Sequence, residues 1–494
     1  MGFALVLGLS QLATPSLWHD ELIHTYVGKS IAETGVAQLP SGVAYHNGTT
    51  QNLILAFMIK CWGTTEIPLR LPSVIFAVLN VLLIYCLTRP LLGGRTAALA
   101  AIGLALSPWA VAWSREARFY TLQQSLYLIM LIAFWQSLER DTRNAWIGFG
   151  VVAVVAYALA ILTSFHSILF LGSIGGYAIL WMIYTRQWKT RWGMATLLII
   201  LVGLISIATL AGLMNPLDKG AVVDRGGLGG EIQDSARALR NYYLHWLKLN
   251  LSLGFYGLAI FGFGAMLFRE KHRGLYAALA FWIPIIILTC FIGYRRPRFM
   301  FFAYPLYVIA WSYGLVCLGT WIAKRKKSWY EWAAVIPVSA FLLRLGLSFI
   351  TLTGVSFDYA QGSNITLARK HPQWRAPCLW IKEHREPDTV VITTTFLPVY
   401  HYLGEVDNWY PTRDIWWEVD ESGMDDLKGR EELKAYMQAH PRGYFISEYW
   451  RWDRLRNPIW KHALYPDTLW VQENMTRIDE ASNEDITVWT WGLD

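Results

Sequence analysis

Trp18-His19-Asp20-Glu21 gathers two vicinal carboxylates and an imidazole directly after a short hydrophobic opening segment, Gly2 to about Pro15. A carboxylate can take the proton of an attacking hydroxyl, and oxygen donors can hold a hard divalent cation. Composition alone does not choose between Asp20 and Glu21 as the base. The plainer reading is an N-cap and first-turn acid for a helix over 20–35, since acids suit that helix end. It accounts for one carboxylate better than for two beside a histidine. A second group lies in two short loops, Ser114-Arg115-Glu116-Ala117-Arg118-Phe119-Tyr120 and Tyr294-Arg295-Arg296-Pro297-Arg298-Phe299. They hold five arginines and no lysine. A guanidinium grips phosphate or carboxylate through two parallel hydrogen bonds, which an ammonium cannot do. Interfacial arginines resting on lipid headgroups are the simpler alternative.

These groups must be positioned by a membrane scaffold. The chain has 494 residues, of which 54% are hydrophobic, 15% aromatic and only 16% charged. That balance excludes an ordinary soluble enzyme. Charge is divided unevenly: 28 Lys and Arg stand against 13 Asp and Glu through Thr353, and 15 against 23 beyond it. A basic apolar part followed by an acidic polar part argues against a nucleic-acid partner. The cysteines are scattered. Cys86, Cys290 and Cys317 lie in apolar runs, and the spacing of Cys61 and Cys378 implies neither a disulfide framework nor a metal site.

The opening segment lacks a basic n-region, and cleavage would separate it from Asp20, so it reads as a retained first helix rather than a signal peptide. Residues 20–35 and 52–62 have helical periodicity but fall short of the roughly 20 apolar residues that a span needs, and they read as interfacial helices. Candidate spans follow at about 72–88, 96–113, 120–137, 146–163, 166–184, 194–214, 251–268, 275–293, 299–322 and 331–352, about eleven with the first helix. With a cytoplasmic N-terminus, every short inner connection is basic: Arg89 and Arg95; Arg140 and Arg143; Arg186, Lys189 and Arg191; Arg269, Lys271 and Arg273; Lys324 to Lys327. That is the positive-inside pattern. It places the acidic motif, both arginine loops, the 215–250 loop and the C-terminal segment on the outer face.

The 215–250 loop carries Gly226-Gly227-Leu228-Gly229-Gly230, a hinge that suits a lid or a plain connection. Without a preceding strand it is not a nucleotide fingerprint. From about Val355 the pattern becomes soluble, with helices near 366–384 and 430–439 alternating with strands at 390–393, 444–446, 469–471 and 486–490. This predicts a small α/β domain with a mainly parallel sheet. Its tryptophans, Trp409, Trp416, Trp417, Trp450 and Trp452, suit a core or a membrane interface better than stacking on sugars. The expected organisation is therefore a mainly α polytopic membrane domain, 1–352, followed by an extracytoplasmic α/β domain, 353–494.

The ordered set of W-x-D-E at 18–21, R-L-P-S at Arg70 to Ser73, S-P-W at Ser107 to Trp109, S-R-E-A-R-F-Y at 114–120, and R-P-R-F at 296–299 with Pro305 beyond resembles the GT-C membrane glycosyltransferases of the family-39 type. Protein O-mannosyltransferases and the aminoarabinose transferases of lipid A belong there. The resemblance covers roughly residues 10–310. It implies an inverting glycosyltransferase in the inner membrane that moves a sugar from a polyprenyl-phosphate donor to the hydroxyl of an acceptor glycan, lipid or protein. It also implies that Asp20 is the catalytic aspartate, with Glu21 beside it. Arg115, Arg118, Arg295, Arg296 and Arg298 would bind the donor phosphate. His19, Tyr45, His46, Glu116 and Tyr120 would contact substrate, and Asp20 and Glu116 would hold a divalent cation, Mg or Mn, where one is used. The chain departs from the family at Tyr45-His46-Asn47-Gly48-Thr49, which keeps the tyrosine and glycine of the family motif but lacks its acid, cation and proline.

Two other classes compete. A flippase of lipid-linked sugars usually carries ionisable groups at mid-membrane depth, whereas here the spans are nearly free of charge, with Arg344 the clear exception. A non-catalytic glycan assembly factor would need only the exported domain.

Overall fold

The computed structural model describes residues 1–140, 142–185, 202–203, 242–250, 253–290, 297–325, 355–356, 369–370, 372–410, 422–424, 427, 429–448 and 465–493. Its helices in chain order begin with α1 (Gly2–Leu9), α2 (His19–Thr34), α3 (Thr49–Trp62), α4 (Glu66–Leu92), α5 (Gly94–Ala105) and α6 (Pro108–Ser114). They continue as α7 (Tyr120–Glu139), α8 (Arg143–Thr163), α9 (Leu169–Thr185), α10 (Tyr242–Asn250), α11 (Leu253–Arg269), α12 (Lys271–Cys290) and α13 (Tyr304–Arg325). Two compact units form. One holds residues 1–10, 47–51 and 70–369, and the other holds 11–46, 52–69 and 370–494.

The first unit is helical. Among the described residues five helices are long and apolar enough to cross a membrane: Glu66–Leu92, Arg143–Thr163, Phe165–Ile183, Lys271–Cys290 and Pro297–Trp321. A sixth arises if α5 and α6 are one span bent by 56°. The bend sits where a continuous span is expected over 96–113. Ser107 is extended and caps α6 by accepting the Ala110 N–H at 3.4 Å, and Pro108 starts the new helix without an N–H to continue the old one. The 17-residue α11 is a shorter apolar helix. The expected spans at 331–352 and over most of 194–214, the glycine-rich part of the 215–250 loop, and Arg344 lie outside the described residues.

α11 and α13 pack backbone against backbone. A side chain at Gly262 would run into the Ala310 carbonyl, and one at Gly314 into the Leu258 carbonyl, so these glycines let the two backbones touch. Buried polar side chains tie the remaining helices together, as an interior without water requires. Gln124 donates to the Phe301 carbonyl at 2.7 Å, Tyr127 to the Ala280 carbonyl at 2.6 Å and Tyr276 to the Leu131 carbonyl at 2.8 Å. Ser107 and the Tyr304 hydroxyl meet at 2.8 Å.

The second unit is a five-stranded sheet with helices. It adds α14 (Arg375–His384), β1 (Val390–Thr393), α15 (Phe396–Leu403), β2 (Asn408–Trp409), α16 (Arg430–Ala439), β3 (Gly443–Glu448), α17 (Tyr465–Asn474), β4 (Thr476–Arg477) and β5 (Ile486–Trp491). The spatial order is β2-β1-β3-β5-β4. β1 runs parallel to β2 and β3, and β5 runs antiparallel to β3 and β4, so the sheet is mixed rather than mainly parallel. Alternation along β1 and β3 feeds two cores. Val391, Tyr444 and Ile446 pack with Trp374, Cys378, Ile381, Ile486 and Val488 on one face. Ile392 and Phe445 pack with Tyr410, Leu433, Val471 and Trp491 on the other.

Two elements of this unit also differ from expectation. Residues 469–471 lie in the helix α17, not in a strand: Val471 and Met475, four apart, both bury into one core. A three-residue apolar run fits either period. The helix expected from 366 begins at Arg375, while Arg369–Lys370 is extended. Pro372 disfavours helix in the residue before it.

Candidate active site

In the second unit, α2 opens on the acidic motif. Trp18 is extended at its N-cap, and its N–H donates to Glu21 Oε2 at 3.2 Å. Glu21 is fully buried, while His19 and Asp20 are half-buried. Glu21 therefore serves as the returning arm of a capping box, and Asp20 is the more accessible carboxylate. One turn after Asp20, buried His24 places Nδ1 2.8 Å from Asn52 Oδ1 on α3. Burial pulls the His24 imidazole down to about 4, partly offset by that hydrogen bond, so the ring is neutral at pH 7. The bond to the amide oxygen assigns the proton to Nδ1 and leaves Nε2 as an acceptor. Tyr45 stands edge-on to His24 at 5.9 Å, and His46 is exposed. α2 and α3 approach closely at Gly28, where an added Cβ would lie 3.0 Å from Leu55 Cβ.

In the first unit, the loop between α6 and α7 folds its cations inward. Arg118 is buried, donates through Nη2 to the Tyr120 hydroxyl at 3.2 Å, and lies over the rings of Phe119 and Tyr120. Ser73 of R-L-P-S anchors the loop by donating to the Arg118 carbonyl at 3.1 Å. Burial, and then the nearby Arg70 guanidinium, lower the affinity of Arg115 for its proton. Glu116 is buried in the same loop. Arg298 lies over the Phe299 ring, against which the His166 ring also stacks at 4.2 Å. Arg295 and Arg296 lie outside the described residues.

The structure thus gathers His19, Asp20, Glu21, Tyr45 and His46 in one unit, and Arg115, Glu116, Arg118, Tyr120 and Arg298 in the other. Among the described residues, no group of three or more His, Cys, Asp or Glu side chains is arranged to hold a metal ion. Sequence reasoning missed His24, Asn52 and Arg70. Arg70 had a signal, since it opens R-L-P-S, whereas the His24–Asn52 pairing had none across 28 positions. Trp409 is a core residue: it is fully buried and donates through Nε1 to the Thr394 carbonyl at 3.4 Å.

None of the curated protein sequences matches this chain. Residues 49–209 match the family model for dolichyl-phosphate-mannose-protein mannosyltransferases. Among solved structures, ArnT from Cupriavidus metallidurans bound to undecaprenyl phosphate aligns over 99% of this chain and 96% of its own, with a TM-score of 0.65 at 13% identity. The oligosaccharyltransferase AglB from Archaeoglobus fulgidus, in complex with an inhibitory peptide and a dolichol-phosphate, aligns over 90% of this chain and 68% of its own, with a TM-score of 0.53 at 13% identity. The chain has the fold of these two proteins, and part of it is similar to the dolichyl-phosphate-mannose-protein mannosyltransferases.

Proposed function

We propose that the protein is an inverting glycosyltransferase that moves a sugar from a polyprenyl-phosphate donor to an acceptor hydroxyl at the outer face of the inner membrane. The observation that carries this reading is the loop between α6 and α7 folded inward, with Arg118 and Glu116 buried in it and Arg115 near Arg70. Guanidiniums gathered in one loop suit the grip of an anionic phosphate through paired, charge-assisted hydrogen bonds. The likeness in fold to a protein bound to undecaprenyl phosphate agrees with a lipid phosphate as that anion.

In the proposed step the acceptor oxygen bonds to the anomeric carbon, and the bond from that carbon to the phosphate oxygen breaks. The electron pair leaves on the phosphate, where arginine donors stabilise the developing charge. Asp20 takes the hydroxyl proton. Glu21, occupied in capping α2, supports the geometry of that turn. Where a divalent cation, Mg or Mn, is used, oxygens of Asp20 and Glu116 would hold it, and loss of transfer on dialysis against EDTA tests for it.

The same reading includes about eleven spans, a cytoplasmic N-terminus, a catalytic membrane domain over 1–352 with interfacial helices, and an extracytoplasmic domain over 353–494. Its test begins with mass spectrometry of the lipid that co-purifies with the protein, followed by sugar transfer from that lipid in detergent. Transfer by the wild type that Asp20→Asn abolishes, with folding intact, supports the enzyme. Transport without transfer would place the protein among flippases.

A further inference from the structure

Residues 13–17 lead directly into the acidic motif, and their polar backbone groups are held by side chains more than 350 positions away. Arg375, at the start of α14, donates through Nη2 to the carbonyls of Ala13 at 2.6 Å and Thr14 at 2.8 Å. Its backbone N–H donates to Ser16 Oγ at 3.1 Å, and the Ser16 N–H donates to Gln373 Oε1 at 3.1 Å. The Leu17 N–H donates to the Tyr402 hydroxyl at 2.6 Å. That hydroxyl donates onward to Glu66 Oε1 at 2.9 Å, and Arg375 Nη1 approaches the same oxygen at 3.5 Å. Glu66 is buried, so its carboxylate joins the two gripping side chains in a place where exchange with water is poor. Gln373 is fixed in turn, its carbonyl accepting from Asn483 Nδ2 at 2.8 Å.

Resting on the transferase reading, we infer that Arg375 and Tyr402 are positioning residues for the reaction. Braced on Glu66, they clamp residues 13–17 and thereby set where α2 begins and where Asp20 stands. α2 starts at His19, two residues after the last gripped amide, so little chain remains to absorb slack. A displacement of about 1 Å at a reacting group can cost on the order of a hundredfold in rate. On this account the C-terminal segment is an obligatory part of the active site's geometry.

Two measurements on the full chain in detergent test this. The first is amide hydrogen exchange over residues 11–24. In Arg375→Ala and Tyr402→Phe, the Ser16 and Leu17 amides should exchange at least tenfold faster, with α11–α13 unchanged. Arg375→Lys should fall between, because an ammonium keeps the charge but not the fork. Tyr402→Phe removes one hydroxyl and guards against a variant that simply fails to fold. The second is transfer from undecaprenyl-phosphate mannose. Arg375→Ala should lower kcat at least tenfold while KM for the lipid stays within twofold. Combined with Asp20→Asn it should be no slower than Asp20→Asn alone, since a residue acting through Asp20 has nothing left to position. Unchanged exchange at 13–17 overturns the clamp, and so does a double variant tenfold slower than Asp20→Asn. A wild type inactive on this donor counts against the transferase reading with mannose, and the exchange measurement then decides the clamp by itself.

Discussion

Asp20 and Glu21 are adjacent in sequence, yet the structure gives them different work. Glu21 is fully buried and caps its own helix, while Asp20 is half-buried on the first turn. Asp20→Asn keeps size and capping ability, so the protein should fold and still bind lipid phosphate. Transfer should fall at least about a hundredfold, the lower end of a general base's contribution. Glu21→Gln should retain more transfer than Asp20→Asn and should lower the melting temperature, since a lost cap costs about 0.5–2 kcal/mol. Kinetics of both variants with lipid binding measured separately decide this; near-normal transfer by Asp20→Asn with a dead Glu21→Gln would reverse the two roles. The arginines allow a matching comparison. Arg298→Lys keeps the charge but loses the planar fork, which predicts roughly 1–3 kcal/mol lost from donor or transition-state binding. Lys326→Arg, at a position expected to face the cytoplasm, should be silent, and equal activity of both variants would remove Arg298 from phosphate binding.

At the scale of elements, α2 is held between partners distant in sequence. It meets α3 at Gly28 and α15 through Tyr26, whose ring lies 5.6 Å from that of Tyr400. Two histidines, buried His24 and half-buried His401, sit at these contacts. His24 is pulled down to about 4 by burial, and so is His401, against the opposing pull of Glu66 and Glu21 and with Lys29 lowering it further. Both are neutral when folded and charge more readily when unfolded. Their contribution to stability is therefore complete above about pH 6.5 and is lost as the pH falls towards 4, at about 1.4 kcal/mol per pH unit for each. Thermal unfolding between pH 7 and 4.5 should show this slope, and His24→Asn should flatten it. Gly28→Leu should destabilise the α2–α3 contact by about 1–3 kcal/mol, read as a lower melting temperature, because neither helix backbone can retreat without losing its partner.

Much of this level was legible in the sequence. Helices over 20–35 and 430–439 and strands at 390–393 and 486–490 carry unambiguous periods, and α16 spans Arg430–Ala439 as expected. Residues 469–471 did not carry one, because three apolar residues fit both periods. The arginine loop after α6 was legible from residue type alone. The clamp on residues 13–17 and the His24–Asn52 pair were not, since each joins segments whose proximity is created only by the fold.

For the whole molecule, the charge distribution makes the strongest demand. Through Thr353 the chain has a net charge of +15, and from Gly354 onward −8. Basic residues in short loops are retained on the cytoplasmic side, while acidic ones weigh little in that choice. With the N-terminus inside and about eleven spans, Lys324 to Lys327 face the cytoplasm and the last expected span, 331–352, carries the chain back across. The C-terminal segment then emerges on the same side as the loop that holds Asp20. These two segments belong to one compact unit, so they must share a compartment whatever the number of spans. A reporter fused after Asp494 that works only in the cytoplasm should stay silent, and one that works only outside should be active. A second reporter inserted after Gly42, between α2 and α3, should give the same answer as the first. Opposite answers from the two would break the second unit itself, because Arg375 could not then reach the carbonyls of Ala13 and Thr14. Agreement on the cytoplasmic side would keep that unit and reverse the orientation, moving the proposed chemistry to the inner face.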